Sequence, residues 1–334
     1  MDPVKDLKIN KDMKIRDLIE QFKYIGGFQA QELYEGYEIL KEMLNDKNTI
    51  KVLSFPADII ATGTRGIIKD IIKNKLFDII ITTTGTLDHD IAKLTKDYYL
   101  GHFDSDDIKL REEGILRLGN IYIPEENYGI AIENTLRPIL DDIFKELKNK
   151  NKNLISTYEL IFEIGKRLEK FDKKEESIIY WSYKNNIPII IPGITDGAVG
   201  TQILMKEYDY PDIQVSVWED EKFLASKFFG EKRVGALILG GGISKHHTIW
   251  WAQFSGGLEY AVYISSANEL DGSLSGAKTK EAITWKKIKK NAKHVNIWGD
   301  ITIILPIIIS EFLWSEYPLF IIFQSTSISS YIIL

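Results

Sequence analysis

The segment LDGSLSGAKTKEAITWKKIKKNAK, residues 270–293, places two lysine pairs, Lys286–Lys287 and Lys289–Lys290, just behind Trp285 in a chain of net charge −6. A lysine amine is a nucleophile only while it is neutral. Burial or neighbouring cations must therefore lower its pKa before it can form a covalent adduct. A tryptophan beside it would exclude water and offer a π-face to a cationic amine. The alternative is a solvated lysine face. On a helical wheel Trp285 and Ile288 share one face while Lys287 lies nearer Ile283, so periodicity by itself favours the solvated face.

The five histidines are His89, His102, His246, His247 and His294. Adjacent His246 and His247 do not readily ligate one metal from a regular element. A site built from His89, one of that pair and an aspartate stays open as an alternative, and no resident metal is expected. Neither G-x-G-x-x-G nor G-x-x-x-x-G-K-[ST] occurs, so no standard dinucleotide fingerprint or P-loop is written here. G-x-S-x-G and H-E-x-x-H are absent too. Six other stretches carry Gly, Ser, Thr, Asp or His directly after apolar runs: FPADIIATGTRG, TTTGTLDHD, PGITDGAVG, LGGGISKHH, SSANELDGS and WGDIT. Glycines let a backbone approach a ligand closely, and the helix N-termini that follow favour phosphate.

These loops need a frame that gathers them. Apolar, β-branched runs at 50–55, 78–83, 119–123, 187–193, 213–217, 235–241, 260–266 and 294–300 read as strands. Helical periods lie between many of them, as in TRGIIKDIIKNKL and STYELIFEIGKRLEKF. Strands alternating with helices predict an α/β fold, a mostly parallel sheet with helices on both faces. In an open parallel sheet, ligands bind outside the carboxyl ends of the strands, where the six loops would meet. Residues 1–45 read as a helical segment preceding the sheet, and KELKNKNKNL (145–154) as an exposed loop within one domain spanning 1–312.

With 334 residues, 44% of them apolar, the chain has enough for a sizeable core. It has no cysteine, which excludes disulfides, thiolate metal sites and a cysteine nucleophile, and fits a cytoplasmic protein. The acidic balance argues against nucleic acid as a partner. The charged N-terminus does not read as a signal peptide. The apolar C-terminus carries Pro306, Glu311, Glu316 and Pro318, which interrupt the roughly 20 apolar residues a membrane helix needs. A buried helix followed by an irregular or strand-like tail is expected there, with no membrane partner.

TTTGTLDHD, RLGNIYIPEENYG, PGITDGAVG, LILGGGISKHH, YAVYISSANELDGSLSGA and EAITWKKI follow one another in an order and spacing that resembles the deoxyhypusine synthase family in its archaeal-type form, over residues 10–312. The resemblance implies a sirtuin-like NAD-binding fold and a homotetramer with active sites at subunit interfaces. It further implies NAD-dependent oxidation of spermidine and transfer of the aminobutyl group through an enzyme-lysine imine. The acceptor it implies is one lysine of translation initiation factor 5A. By the resemblance the nucleophile is Lys287, and His246 contacts the polyamine and moves protons. Glu281 and Trp285 bind the polyamine, Gly272 and Ser273 line its pocket, and Asp88 and His89 stand at a position bearing on the substrate. The implied cofactor residues are Thr83, Thr84, Gly85, Asp196, Gly241, Ser266, Ala267, Asp271, Asp300 and Ile301.

The pattern departs from the family in several places. ADIIA (57–61) replaces a loop that usually carries Asn and Ser, His89 replaces an acidic residue, and Thr201 and Leu274 replace two polyamine-binding aspartates. The last 20 or so residues do not match, leaving 313–334 as a tail of no assigned role. Two other readings keep parts of this pattern: an aminobutyl transferase of homospermidine synthase type, and a non-catalytic paralogue that binds a protein partner. The intact Lys287, Trp285, Glu281 and His246 speak against the paralogue.

Overall fold

The computed structural model describes residues 1–314. Its centre is a six-stranded sheet in the order Ile288–Trp298, Leu258–Ser265, Arg233–Leu239, Thr49–Ser54, Ile79–Ile81 and Ile189–Ile190. Every neighbouring pair is parallel. Parallel strands need helical crossovers, so both faces are covered and the strands are apolar throughout. Alternate side chains feed two separate cores. Leu53, Ile80, Leu237 and Val262 face one, and Val52, Ile81, Ile238 and Tyr263 face the other. Fully burying one such aliphatic side chain contributes about 1.5–3 kcal/mol.

Because the six strands run the same way, their carboxyl ends lie along one edge. The six polar, glycine-bearing loops therefore share that edge, as the sequence predicts. Two of the eight expected strands are elsewhere. Ile121–Pro124 pairs antiparallel with Ile115–Leu118 and with Tyr99–Leu100 in a small separate sheet. Its turn is Gly119–Asn120, with Gly119 at φ 59°, a hairpin signal that a purely apolar reading of the run passes over. Gln214–Ser216 pairs with Leu154–Ser156 in a two-stranded sheet.

Two local expectations also shift, while the buried C-terminal helix forms where it was expected. Residues 145–149 complete the long helix Gly129–Asn149, so the exposed stretch is shorter than 145–154. In the N-terminal segment, helices Ile15–Phe22 and Phe28–Asn45 form, while residues 1–14 are non-helical. The C-terminal helix is Ile301–Trp314, with Leu305, Ile308 and Ile309 buried. Its Glu311 accepts from the Tyr37 hydroxyl and pairs with Arg16 at 3.1 Å, which joins it to the N-terminal helices. The tail expected at 313–334 lies, from residue 315, outside the described residues. Among the described residues no helix is long and apolar enough to cross a membrane.

Candidate active site

The strand Arg233–Leu239 ends in three glycines and turns into helix Gly242–Ala252. Gly240 and Gly242 have φ 66° and 69°, values that L side chains rarely adopt. Gly241 is required for a different reason. A Cβ there would lie 2.2 Å from Ser275 Oγ and 2.4 Å from Ser275 Cα, so only glycine lets the 271–278 loop close over the strand end. Ser275 Oγ in turn accepts from the Gly242 N–H at 3.1 Å. The helix then presents His246 and Trp250 one turn apart, their rings 6.0 Å apart and inclined by 25°.

Lys287 arrives from the other side, and the helical-wheel reading does not hold. Helix Thr279–Thr284 stops before the lysine pairs. Lys287 N–H donates to Ala282 O and Lys286 N–H to Ile283 O, each at 3.0 Å, with Lys286 left-handed at φ 59°. This is a Schellman closure with lysine in the position usually held by glycine. It reverses the chain into strand Ile288–Trp298 and sinks Lys287 to 8% exposure while Lys286 stays exposed. The Lys287 carbonyl is also tied, accepting from Leu258 N at 3.0 Å. Lys289 is paired with Glu259 at 2.8 Å rather than standing free beside Lys287.

The two elements meet over a cavity of about 340 Å³ lined by Lys287, His246, Trp250, Trp285, Glu281 and Leu274, among others. Lys287 Nζ lies 3.4 Å from His246 Nε2 and 5.7 and 5.9 Å from the ring centres of Trp285 and Trp250. Burial, then the positive charges of Lys287 and His247, hold the His246 pKa below its ordinary 6.5. The imidazole is therefore neutral near neutral pH, a proton acceptor facing a lysine amine. Glu221 fixes the helix behind it, lying 3.0 Å from His247 Nε2 and accepting from Trp251 Nε1 at 3.0 Å.

The far wall is Lys245, a buried cation that donates to Ala277 O at 2.6 Å and lies 4.5 Å from the Tyr263 ring centre. Burial lowers its pKa to about 8. The Tyr263 hydroxyl is buried without a hydrogen-bond partner, and burial pushes its pKa up. Behind this wall is a second cavity of about 320 Å³, which Ala267, Ser265 and Asn296 help to line.

The remaining expected residues divide. Thr83, Thr84 and Gly85 begin helix Thr84–Thr95 at a strand end; Thr84 is buried and donates to Gly193 O at 2.7 Å. Asp196, Ser266 and Asp300 are exposed on loops of the same edge, with Ile301 next to Asp300. Asp300 uses Oδ1 to accept from Thr302 N and Oγ1. Asp271 accepts from Ser273 N and Oγ on an exposed turn with Gly272 at φ 76°. Gly272 and Ser273 do not line the Lys287 cavity; its lining begins at Leu274. Thr201 is exposed and absent from that lining.

Asp88 and His89 depart furthest from expectation. Asp88 is 1% exposed, and its oxygens accept from Ala198 N, Val199 N and the Tyr128 hydroxyl. It caps helix Ala198–Asp209 from a distance and leaves no face for a polyamine. His89 is buried, with Nδ1 3.0 Å from the Tyr98 hydroxyl, and burial lowers its pKa to about 4. Trp250, Lys245 and Tyr263 were not expected in the site. Trp250 alone had a legible signal, standing four residues after His246 on a helix. Among the described residues no group of three or more His, Asp or Glu side chains is placed to hold a metal ion.

A parallel α/β sheet thus carries a sunken lysine, an imidazole and two indoles together at its carboxyl edge, and the relatives that share this frame are transferases. The family model for deoxyhypusine synthase matches residues 17–312. A probable deoxyhypusine synthase of Picrophilus torridus is 54% identical over 312 residues, covering 93% of this chain and 97% of that protein. Its counterpart in Thermoplasma acidophilum is 49% identical over 311 residues, again 93% and 97% of the two chains. A crystal structure of a putative deoxyhypusine synthase from Entamoeba histolytica shares the fold, with a TM-score of 0.62 at 20% identity over 92% of this chain and 96% of that one. This chain belongs to the deoxyhypusine synthase family.

Proposed function

We propose that this chain carries out NAD-dependent transfer of the aminobutyl group of spermidine to one lysine of translation initiation factor 5A, through an imine on Lys287. The observation that carries the reading is Lys287 Nζ, buried beside two indoles and 3.4 Å from a neutral imidazole.

The strand-end loops fit the cofactor. Helices Thr84–Thr95 and Gly242–Ala252 turn their N-termini to the carboxyl edge, and a Cβ on Gly242 would meet nothing within 4 Å, so that end is open to a phosphate. Exposed Asp196 and Asp300 suit ribose hydroxyls. Thr83, Thr84, Gly85, Asp196, Gly241, Ser266, Ala267, Asp271, Asp300 and Ile301 would hold NAD, which when bound accepts hydride from the amine and, as NADH, returns it to the product.

This chain's own residues do the rest. His246 Nε2 takes the proton from the Lys287 ammonium and frees its lone pair. Lys287 Nζ then adds to the C=N carbon of the oxidised donor. The bond from that carbon to the donor nitrogen breaks, and 1,3-diaminopropane leaves with the proton that His246 returns. The factor's lysine repeats the exchange on the Lys287 imine and restores the free amine. Glu281, on the cavity wall, would take the terminal ammonium of the aminobutyl chain. The same reading includes a homotetramer with its sites at subunit interfaces. It is supported by large apolar side chains exposed on the carboxyl-edge loops, Leu270 at 91% and Ile243 at 47%, and by Trp285 of the cavity lining at 65%.

The test is mass spectrometry of the factor after incubation with NAD, spermidine and this protein, alongside the Lys287→Arg variant. The wild type is expected to add one aminobutyl group to one lysine. The variant is expected to add none, because a guanidinium stays protonated. Borohydride added during turnover is expected to fix the aminobutyl mass on Lys287. Trapping on Lys286 or Lys245 instead, or modification of putrescine in preference to the factor, would overturn the proposal.

A further inference from the structure

The cavity is unusual in how it can hold a cation. Glu281 is the carboxylate on its lining; the rest is aromatic or apolar, apart from His246, Gln253 and the cations Lys245, Lys278 and Lys287. Leu274 stands on the wall where a second acidic group would be useful. A chain bearing more than one ammonium cannot be seated there by carboxylates alone. Lys245 repels any ammonium that approaches the far wall, since its hydrogen bonds go to carbonyls and the one carboxylate that acts on its charge, Glu281, is the same one the donor would need.

Two π-faces are available instead. Trp285 follows helix Thr279–Thr284, and Trp250 stands on helix Gly242–Ala252, so they reach Lys287 from separate elements. Their ring centres lie 5.7 and 5.9 Å from Lys287 Nζ, within the range where a ring attracts an ammonium. Trp250 is held in place. Its ring stacks on His246 at 25°, and Phe254 meets it edge-on at 5.9 Å and 84°.

We infer that Trp250 determines donor specificity: its indole and that of Trp285 form a two-sided aromatic clamp that seats the cationic chain of the amine donor beside Lys287. The inference rests on the reading of Lys287 as the residue that receives the donor's aminobutyl group. With one carboxylate and two indoles, the site recognises a flexible polyamine by its charge and apolar length together. It should therefore bind spermidine more tightly than an amine of equal length that carries fewer ammonium groups.

The experiment is calorimetric titration of spermidine into the NAD-loaded protein, for the wild type and for Trp250→Phe, Trp250→Leu and Trp250→Ala, with steady-state turnover in parallel. Exchanging an indole for an aliphatic side chain should weaken spermidine binding about 3- to 30-fold, the range of one cation–π contact, while phenylalanine retains most of it. KM for the amine should rise in step and kcat change less. NAD affinity should stay at the wild-type value, which shows that the variants are folded. Equal affinity in the wild type and Trp250→Ala would overturn the clamp and leave the proposed function standing. So would equal loss in the leucine and phenylalanine variants, which would reduce Trp250 to apolar packing. A wild type that binds NAD but no spermidine would overturn the functional reading itself, and the clamp with it.

Discussion

Replacing Lys245 by methionine should change how stability depends on pH. The Lys245 amine is 1% exposed, donates to Ala277 O at 2.6 Å and Ser275 O at 3.4 Å, and is held by burial at a pKa of about 8. In the unfolded chain a lysine titrates at about 10.4. Below about pH 8 both states are protonated, and the folded state bears the full cost of the buried charge. Between about pH 8 and about pH 10.4 the unfolded state holds a proton that the folded state has shed, so stability rises with pH. The gap corresponds to about 3 kcal/mol when complete, and to about 2–3 kcal/mol between pH 7 and pH 10. Tyr263, whose pKa burial pushes up, keeps its proton through this window in the folded state of both proteins, so its contribution largely cancels when wild type and variant are compared. At neutral pH the variant loses two hydrogen bonds, about 1 kcal/mol each, and sheds the buried charge, so the two effects oppose each other. The signature is thus the slope and not the level. Urea unfolding followed by tryptophan fluorescence, at fixed protein concentration and several pH values, measures it. The wild-type curve should climb relative to Lys245→Met by about 2–3 kcal/mol over that range. Parallel curves would refute the claim that this lysine is a desolvated cation.

Two further substitutions test the local readings. Lys286→Gly should stabilise the protein by about 1 kcal/mol, because a left-handed residue without a Cβ carries no steric penalty; thermal unfolding measures this, and aminobutyl transfer should persist because the exposed Lys286 side chain is absent from the cavity lining. Asp88→Ala leaves the Ala198 and Val199 N–H groups without their cap and should cost about 2–4 kcal/mol in urea unfolding, whereas a polyamine-binding role would weaken spermidine affinity and leave stability near the wild-type value.

The sheet was legible where burial on both faces leaves a continuous apolar run, as at Ile79–Ile81 and Arg233–Leu239. It was not legible at Ile121–Pro124, whose composition suits a core strand but whose Gly119–Asn120 turn commits it to a local hairpin. The gathering of six loops at one edge follows from parallel strands and was readable as a pattern. The depth of Lys287 was not. Nothing in the run TWKKIKK announces that a lysine will take the left-handed position that ends a helix, and the fate of the next side chain turns on that one dihedral. Asp88 illustrates the reverse limit: the resemblance places it at a position bearing on the substrate, while its actual partners, Tyr128, Ala198 and Val199, are far along the chain.

The backbone on both sides of Lys287 is fastened, its N–H to Ala282 and its carbonyl to Leu258 in the neighbouring strand. A residue anchored in this way behaves like a crane with a bolted base. On the proposed reading, all travel of the cargo between donor and acceptor comes from rotations of the four-carbon stem, with no loop swing to extend it. The acceptor protein must therefore deliver its own lysine to within that fixed radius. The depth of the shaft between the two indoles then sets how slender and how exposed a loop must be before it can be modified at all.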